Sequence, residues 1–97
     1  MSLALKAAVV RAIAERRPDA ANAFDAACVI PADADDCDGI EILNRYWRNQ
    51  LERVNADTTG AREYLVHPST CNATDWLRLF HTGVLPAILA YGLPQGT

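Results

Sequence analysis

Residues 39–54 read GIEILNRYWRNQLERV and set Ile40, Leu43, Trp47, Leu51 and Val54 at steps of three and four. That spacing gathers the five apolar side chains on one stripe of an α-helix, whereas the period of two in a strand would scatter them over both faces. Glu41, Arg45, Arg48 and Glu52 fall on the other side as a charged ladder with the offsets that let helical ion pairs form. The stretch predicts a long amphipathic helix over about 39–55. Trp47 is its main core anchor, because indole buries more apolar area than any other side chain on the stripe.

The flanking segments read as shorter helices. LALKAAVVRAIAERR, residues 3–17, carries Leu3, Ala7, Val10 and Ala14 on one stripe widened by Val9 and Ile13. The expectation is that this stripe packs into the domain core, since it lacks the bulky anchors that membrane insertion wants. Pro18 stops that helix and opens a second, PDAANAFDAAC (18–28), with Ala20, Phe24, Ala27 and Cys28 inward. VIPADADDCDG (29–39) is a connector, because Pro31 turns Ile30 away from helical geometry and the aspartates compete for backbone hydrogen bonds.

Downstream, ADTTG (56–60) is a turn, and AREYLVHP (61–68) fits a short helix or a single strand, of which helix or extended coil is favoured because one strand makes no sheet by itself. STCNATDWLRLFH (69–81) begins another helix, capped by Asn72 or Thr74, with Trp76, Leu77, Phe80 and Val84 apolar. Gly83 and Pro86 end or kink it, and a last short helix runs from about 85 to 91. The expected fold is a compact all-α, single-domain bundle of four to six short helices over residues 1–97.

Composition narrows the function classes. The chain carries a net charge of −3, with one lysine, Lys6, against eight arginines. That balance argues against a dedicated nucleic-acid binder, whose affinity rests on a basic face. No apolar run reaches membrane-spanning length, because Arg78 and His81 interrupt the region 76–93. Three cysteines, Cys28, Cys37 and Cys71, leave one unpaired, and no secretion signal opens the chain, so the expectation is a reducing cytoplasm with all three as free thiols. On that reading the sequon Asn72-Ala73-Thr74 stays unmodified.

The acidic run ADADDCDGIE, residues 32–41, is the most unusual feature. Laid on a twelve-position calcium loop with Gly39 at the sixth place, it puts Ala34 at the first ligand position and Arg45 at the twelfth, so the register fails at both ends. Asp38 followed by Glu41 reads instead as a capping box for the Trp47 helix. Asp33, Asp35 and Asp36 are then surplus to the fold and fit an electrostatic contact with a basic partner. Tyr46, beside Arg45, Arg48 and Arg53, reads as an exposed face rich in the residue types of interface hot spots.

A second constellation is His67, Cys71 and His81. With Cys28 or Cys37 these could supply zinc ligands, though only His67 and Cys71 have suitable spacing. Cys71, just before a helix start, would have its thiolate favoured, whereas the carboxylates around Cys37 would keep that thiol protonated and inert. His81 falls beside Leu77, Leu85 and Ile88 and reads as half-buried.

The leading expectation is a small cytosolic, non-enzymatic protein-interaction module without a cofactor, an adaptor, inhibitor or immunity-like regulator of bacterial or phage type. Asp33, Asp35 and Asp36 would steer it to a basic protein surface, with Arg45, Tyr46, Arg48 and Arg53 making contacts. The alternative is a small zinc-binding or thiol-dependent enzyme centred on Cys71, His67 and His81. A third reading is a homodimer through apolar surface on the C-terminal helices. Neither nucleic acid nor membrane is an expected partner.

Overall fold

Trp47 is fully buried at the centre of the protein, and the helices are arranged around it. The computed structural model describes residues 2–54, 65 and 71–91. In chain order the elements are α1 (Ser2–Ala14), α2 (Pro18–Ala27), α3 (Asp36–Arg53), α4 (Ala73–Leu79), a π-helical turn (Phe80–Val84) and α5 (Leu85–Tyr91). The described residues are all-α, as the spacing predicts. A radius of gyration of 12.1 Å is close to the value of about 13 Å for a compact chain of this length.

The long helix carries its stripe as predicted. Ile40, Leu43, Trp47 and Leu51 are buried and Val54 is half-buried, while Glu41 and Arg45 face solvent. Phe24 of α2 stacks on Trp47 with ring centroids 5.0 Å apart. Phe80 approaches Trp47 from the opposite end of the chain at 5.6 Å, and Trp76 stacks on Phe80 at 5.6 Å. Four aromatic rings from α2, α3, α4 and the π turn thus form one continuous cluster, each pair adding to the area burial of its members.

The first helix departs from expectation. Its buried face is Leu5, Val9, Ala12 and Ile13, which lies against α2 and α3. Of the predicted stripe, Val9 and Ile13 are buried and Val10 and Ala14 pack half-buried against the core, whereas Leu3 is 47% exposed and Ala7 exposed. The buried face is rotated toward Leu5 and Ala12, and Leu5 buries more area than Ala7 would. Lys6 adds a tether, donating to the Asp25 carbonyl oxygen at 3.0 Å and pairing with its carboxylate at 3.2 Å. In α2, Ala20, Ala21 and Phe24 are buried and Cys28 follows at the C-cap, but Ala27 is exposed.

The C-terminal helix bends rather than ends. Asn72 caps α4, accepting the Asp75 backbone N–H on Oδ1 at 3.1 Å. Pro86 has no N–H to give a carbonyl four residues back, and the helix widens just before it: the Leu85 N–H reaches the Phe80 carbonyl, five residues back. The Thr82 hydroxyl donates to the Arg78 carbonyl at 2.8 Å. A π turn of this kind occurs mostly as a single-turn insertion within an α-helix. Val84, Ala87 and Ile88 reach the core, while Leu77, Leu79, Leu85 and Leu89 are half-buried on the C-terminal helices. The segment 61–67 lies outside the described residues apart from Leu65, which is buried.

Asn44 is the one buried polar residue among those described, and its Oδ1 accepts the indole N–H of Trp76. This bond crosses from α3 to α4 and sets the register of the two helices. Asn44→Ala is expected to leave the Trp76 donor buried and unpaired, at a cost of about 1–3 kcal/mol, read as a lowered midpoint in urea unfolding.

Candidate functional site

The acidic connector folds in two steps. Pro31 to Ala34 makes a tight turn closed by the Ala34 N–H on the Pro31 carbonyl at 3.1 Å, which raises Asp33 to the surface. The helix then begins at Asp36, capped by Asp35, whose Oδ1 accepts the Asp38 backbone N–H at 2.8 Å. The helix cap therefore sits three residues earlier than the sequence suggested, at Asp35 in place of Asp38. Asp35 has the role expected of Asp38, since β-region backbone at Asp35 turns its carboxylate back over the first turn. Asp35 is not surplus to the fold, and Asp36, half-buried in that first turn, faces the positive end of the helix dipole.

Moving the start to Asp36 places Asp38 inside the helix, where it shares a face with Glu41, Ile42 and Arg45 at offsets of three, four and seven. This face and the Pro31–Ala34 turn enclose an open concavity of about 320 Å³ lined by Pro31, Asp33, Ala34, Asp38, Glu41, Ile42 and Arg45. Its apolar floor is Pro31, Ala34 and Ile42. Three carboxylates and one guanidinium surround it, and Arg45 is drawn toward Glu41 at 3.5 Å. The site holds an excess of negative charge over an apolar patch, suited to a cation on an aliphatic stem.

The predicted residues thus separate. Asp33 and Arg45 line the concavity, and Asp38 and Glu41 join them. Arg48 is turned to Glu52 at 3.8 Å on the next turn of the helix. Tyr46 does not lie exposed. It is half-buried, with its ring edge-on to Phe24 at 5.2 Å and to Trp47 at 4.8 Å. Arg53, exposed at the end of α3, is near enough to bear on the Tyr46 hydroxyl but not on the concavity.

The cysteines give the largest correction. Cys37 and Cys71 form a disulfide with Cα atoms 4.8 Å apart, joining positions 34 residues distant in the chain. Neither is the free thiol the sequence suggested. Cys37 is not an inert thiol, and Cys71 in this form has no thiolate with which to attack carbon or bind zinc. A loop of this length stabilises the folded chain by roughly 3–4 kcal/mol in the chain-entropy account. Cys28 is left as the free thiol, buried, with desolvation pushing its pKa up. His81 is exposed, not half-buried, and His67 lies outside the described residues. Among the described residues no group of three or more His, Cys, Asp or Glu is placed to hold a metal ion, and no helix is long and apolar enough to cross a membrane.

No signal in the sequence singled out the concavity, because it depends on where the helix starts. The clue was present in Asp35, an N-cap residue three positions before Asp38. Comparison with known proteins adds no identity: no protein family, curated protein or solved structure matches the chain.

Two measurements check this geometry. Asp35→Ala is expected to destabilise the fold by about 1 kcal/mol and Asp38→Ala by much less in urea titrations. Burial, with smaller effects from Cys28 upward and Arg53 downward, pushes the Tyr46 hydroxyl up to about 12. The folded chain then keeps a proton that the unfolded chain loses near pH 10. The resulting stability is intact below about pH 10 and is lost as pH rises toward about 12. Unfolding free energies measured from pH 8 upward should fall less steeply for Tyr46→Phe than for the wild type.

Proposed function

We propose that the protein is a small, non-enzymatic protein-interaction module, an adaptor or inhibitor, that captures a lysine or arginine side chain of a basic partner in the concavity between the Pro31–Ala34 turn and α3. The observation that carries this reading is the lining itself: Asp33, Asp38 and Glu41 around a floor of Pro31, Ala34 and Ile42. An aliphatic stem packs on the floor while its charged head meets the carboxylates, so apolar and ionic contacts act on one side chain. Arg45 on the rim, held toward Glu41, disfavours a head group that arrives from its side. The excess of carboxylates also accelerates encounter with a positive surface.

This reading differs from the sequence expectation in its residues. Asp33 keeps the steering role, Asp38 and Glu41 take the places first given to Asp35 and Asp36, and Tyr46 stays in the core. Arg48 and Arg53 lie outside the concavity and serve at most the periphery of a contact.

The probe is n-butylguanidinium, followed by backbone amide shifts. Saturable shifts at Asp33, Ala34, Asp38 and Ile42 are expected at roughly millimolar concentration. Asp33→Asn with Glu41→Gln should weaken them about tenfold, and Ala34→Trp, which fills the floor and keeps every charge, should abolish them. Glu15→Gln with Asp19→Asn removes the same charge elsewhere and should change nothing. Equal loss in that control, or shifts spread evenly over all acidic residues, would show diffuse attraction and reject the pocket.

A further inference from the structure

The Cys37–Cys71 disulfide sits where a change in its state is felt by the concavity. Cys37 occupies the first turn of α3 between Asp36 and Asp38, and Asp38 lines the concavity. Cys71 immediately precedes Asn72, the cap of α4. The bond therefore ties the first turn of one helix to the start of another across 34 residues of chain. Both cysteines are exposed, so a reductant reaches the sulfurs without unfolding, whereas Cys28 is 3% exposed and shielded.

The rest of the fold does not need the bond to hold its centre. Trp76 and Phe80 anchor the C-terminal helix through the aromatic cluster and the Asn44 hydrogen bond, all of it inward of the disulfide. Outside that anchor, the start of α4 carries the Asn72 cap and an exposed Arg78–Asp75 pair at 3.1 Å. Exposed ion pairs of this kind contribute little. Opening the bond frees the outer ends of both helices while the core persists.

We infer that the Cys37–Cys71 disulfide is a solvent-reachable redox switch that, when opened by a dithiol reductant, loosens the first turns of α3 and α4 and with them the cation-binding concavity. The last step rests on the proposed function; the switch itself does not. In the exchange a reductant thiolate attacks one sulfur, forming a mixed disulfide and expelling the other cysteine as a thiolate that takes up a proton. The second reductant thiol then attacks the mixed disulfide, so two electrons pass to the protein, both cysteines become thiols and the reductant leaves as its own cyclic disulfide.

The test uses the full chain, oxidised and then treated with a dithiol such as dithiothreitol without denaturant. Alkylation and intact mass should show no accessible thiol before treatment and two after it, with Cys28 unlabelled throughout. Amide hydrogen exchange should then speed up at least tenfold at residues 37–41 and 72–76, while the amides around Trp47 remain protected. n-Butylguanidinium should bind the reduced chain and the Cys37→Ser, Cys71→Ser double variant at least threefold more weakly than the oxidised chain. A bond that resists native reduction, three free thiols in the oxidised preparation, loss of all helical circular dichroism on reduction, or unchanged exchange would each overturn the switch. If the oxidised chain fails to bind the guanidinium, the pocket reading falls while the exchange data still decide the switch. If both forms bind equally after exchange has speeded up, the link between switch and concavity is overturned.

Discussion

Trp47 holds the fold together because it touches two distant parts of the chain at once. Its indole lies between Phe24 of α2 and Phe80 of the π turn, so one side chain fixes how far α3 stands from both. Hydrophobic burial gives such a centre most of its free energy but no direction. Direction comes from Asn44, one turn earlier on α3, whose side chain receives the Trp76 N–H. A buried hydrogen bond tolerates little sliding, so it converts a stack of rings into one registered arrangement. The same core holds polar atoms without partners among the described residues, including Asn44 Nδ2, the Tyr46 hydroxyl and the Trp47 indole nitrogen.

The concavity is a consequence of one backbone choice made at Asp35. With extended backbone at that residue, the helix starts at Asp36 and three carboxylates acquire different roles. Asp35 satisfies an orphan N–H of the first turn. Asp38 and Glu41, now both inside the helix, project beside Ile42 toward the turn that carries Asp33. Had the helix started at Gly39, Asp38 would have been spent on the cap and only Glu41 would remain on that face. Charge that looked like a loop feature is therefore partly a helix-face feature, and this gives it an apolar floor.

The disulfide and the π turn solve related problems in the second half of the chain. A short α4 has too few residues to bury much area of its own, and Pro86 removes a backbone donor from the helix that follows. Widening at Phe80–Val84 keeps Val84, Ala87 and Ile88 on the core side. The Cys37–Cys71 bond holds the other end of the same helix against α3. Between these two points the aromatic residues Trp76 and Phe80 have little freedom to leave the cluster.

Local sequence determined the helical class, the inward face of α3, the opening of α2 at Pro18 and a cap at Asn72 or Thr74, because each depends on residues within one or two turns of one another. Tertiary structure decided the rest. The spacing on α1 favours an apolar stripe with Leu3 and Ala7, and only contact with α2 and α3 turned Leu5 and Ala12 inward in their place. Tyr46 read as exposed by its position on α3, until Phe24 from another helix came to lie against it. Cys37 and Cys71 looked unpaired in a sequence with three cysteines, since nothing local relates two positions 34 residues apart. A sequence records what neighbours along the chain prefer, whereas pairing, burial and concavity depend on which distant surfaces meet.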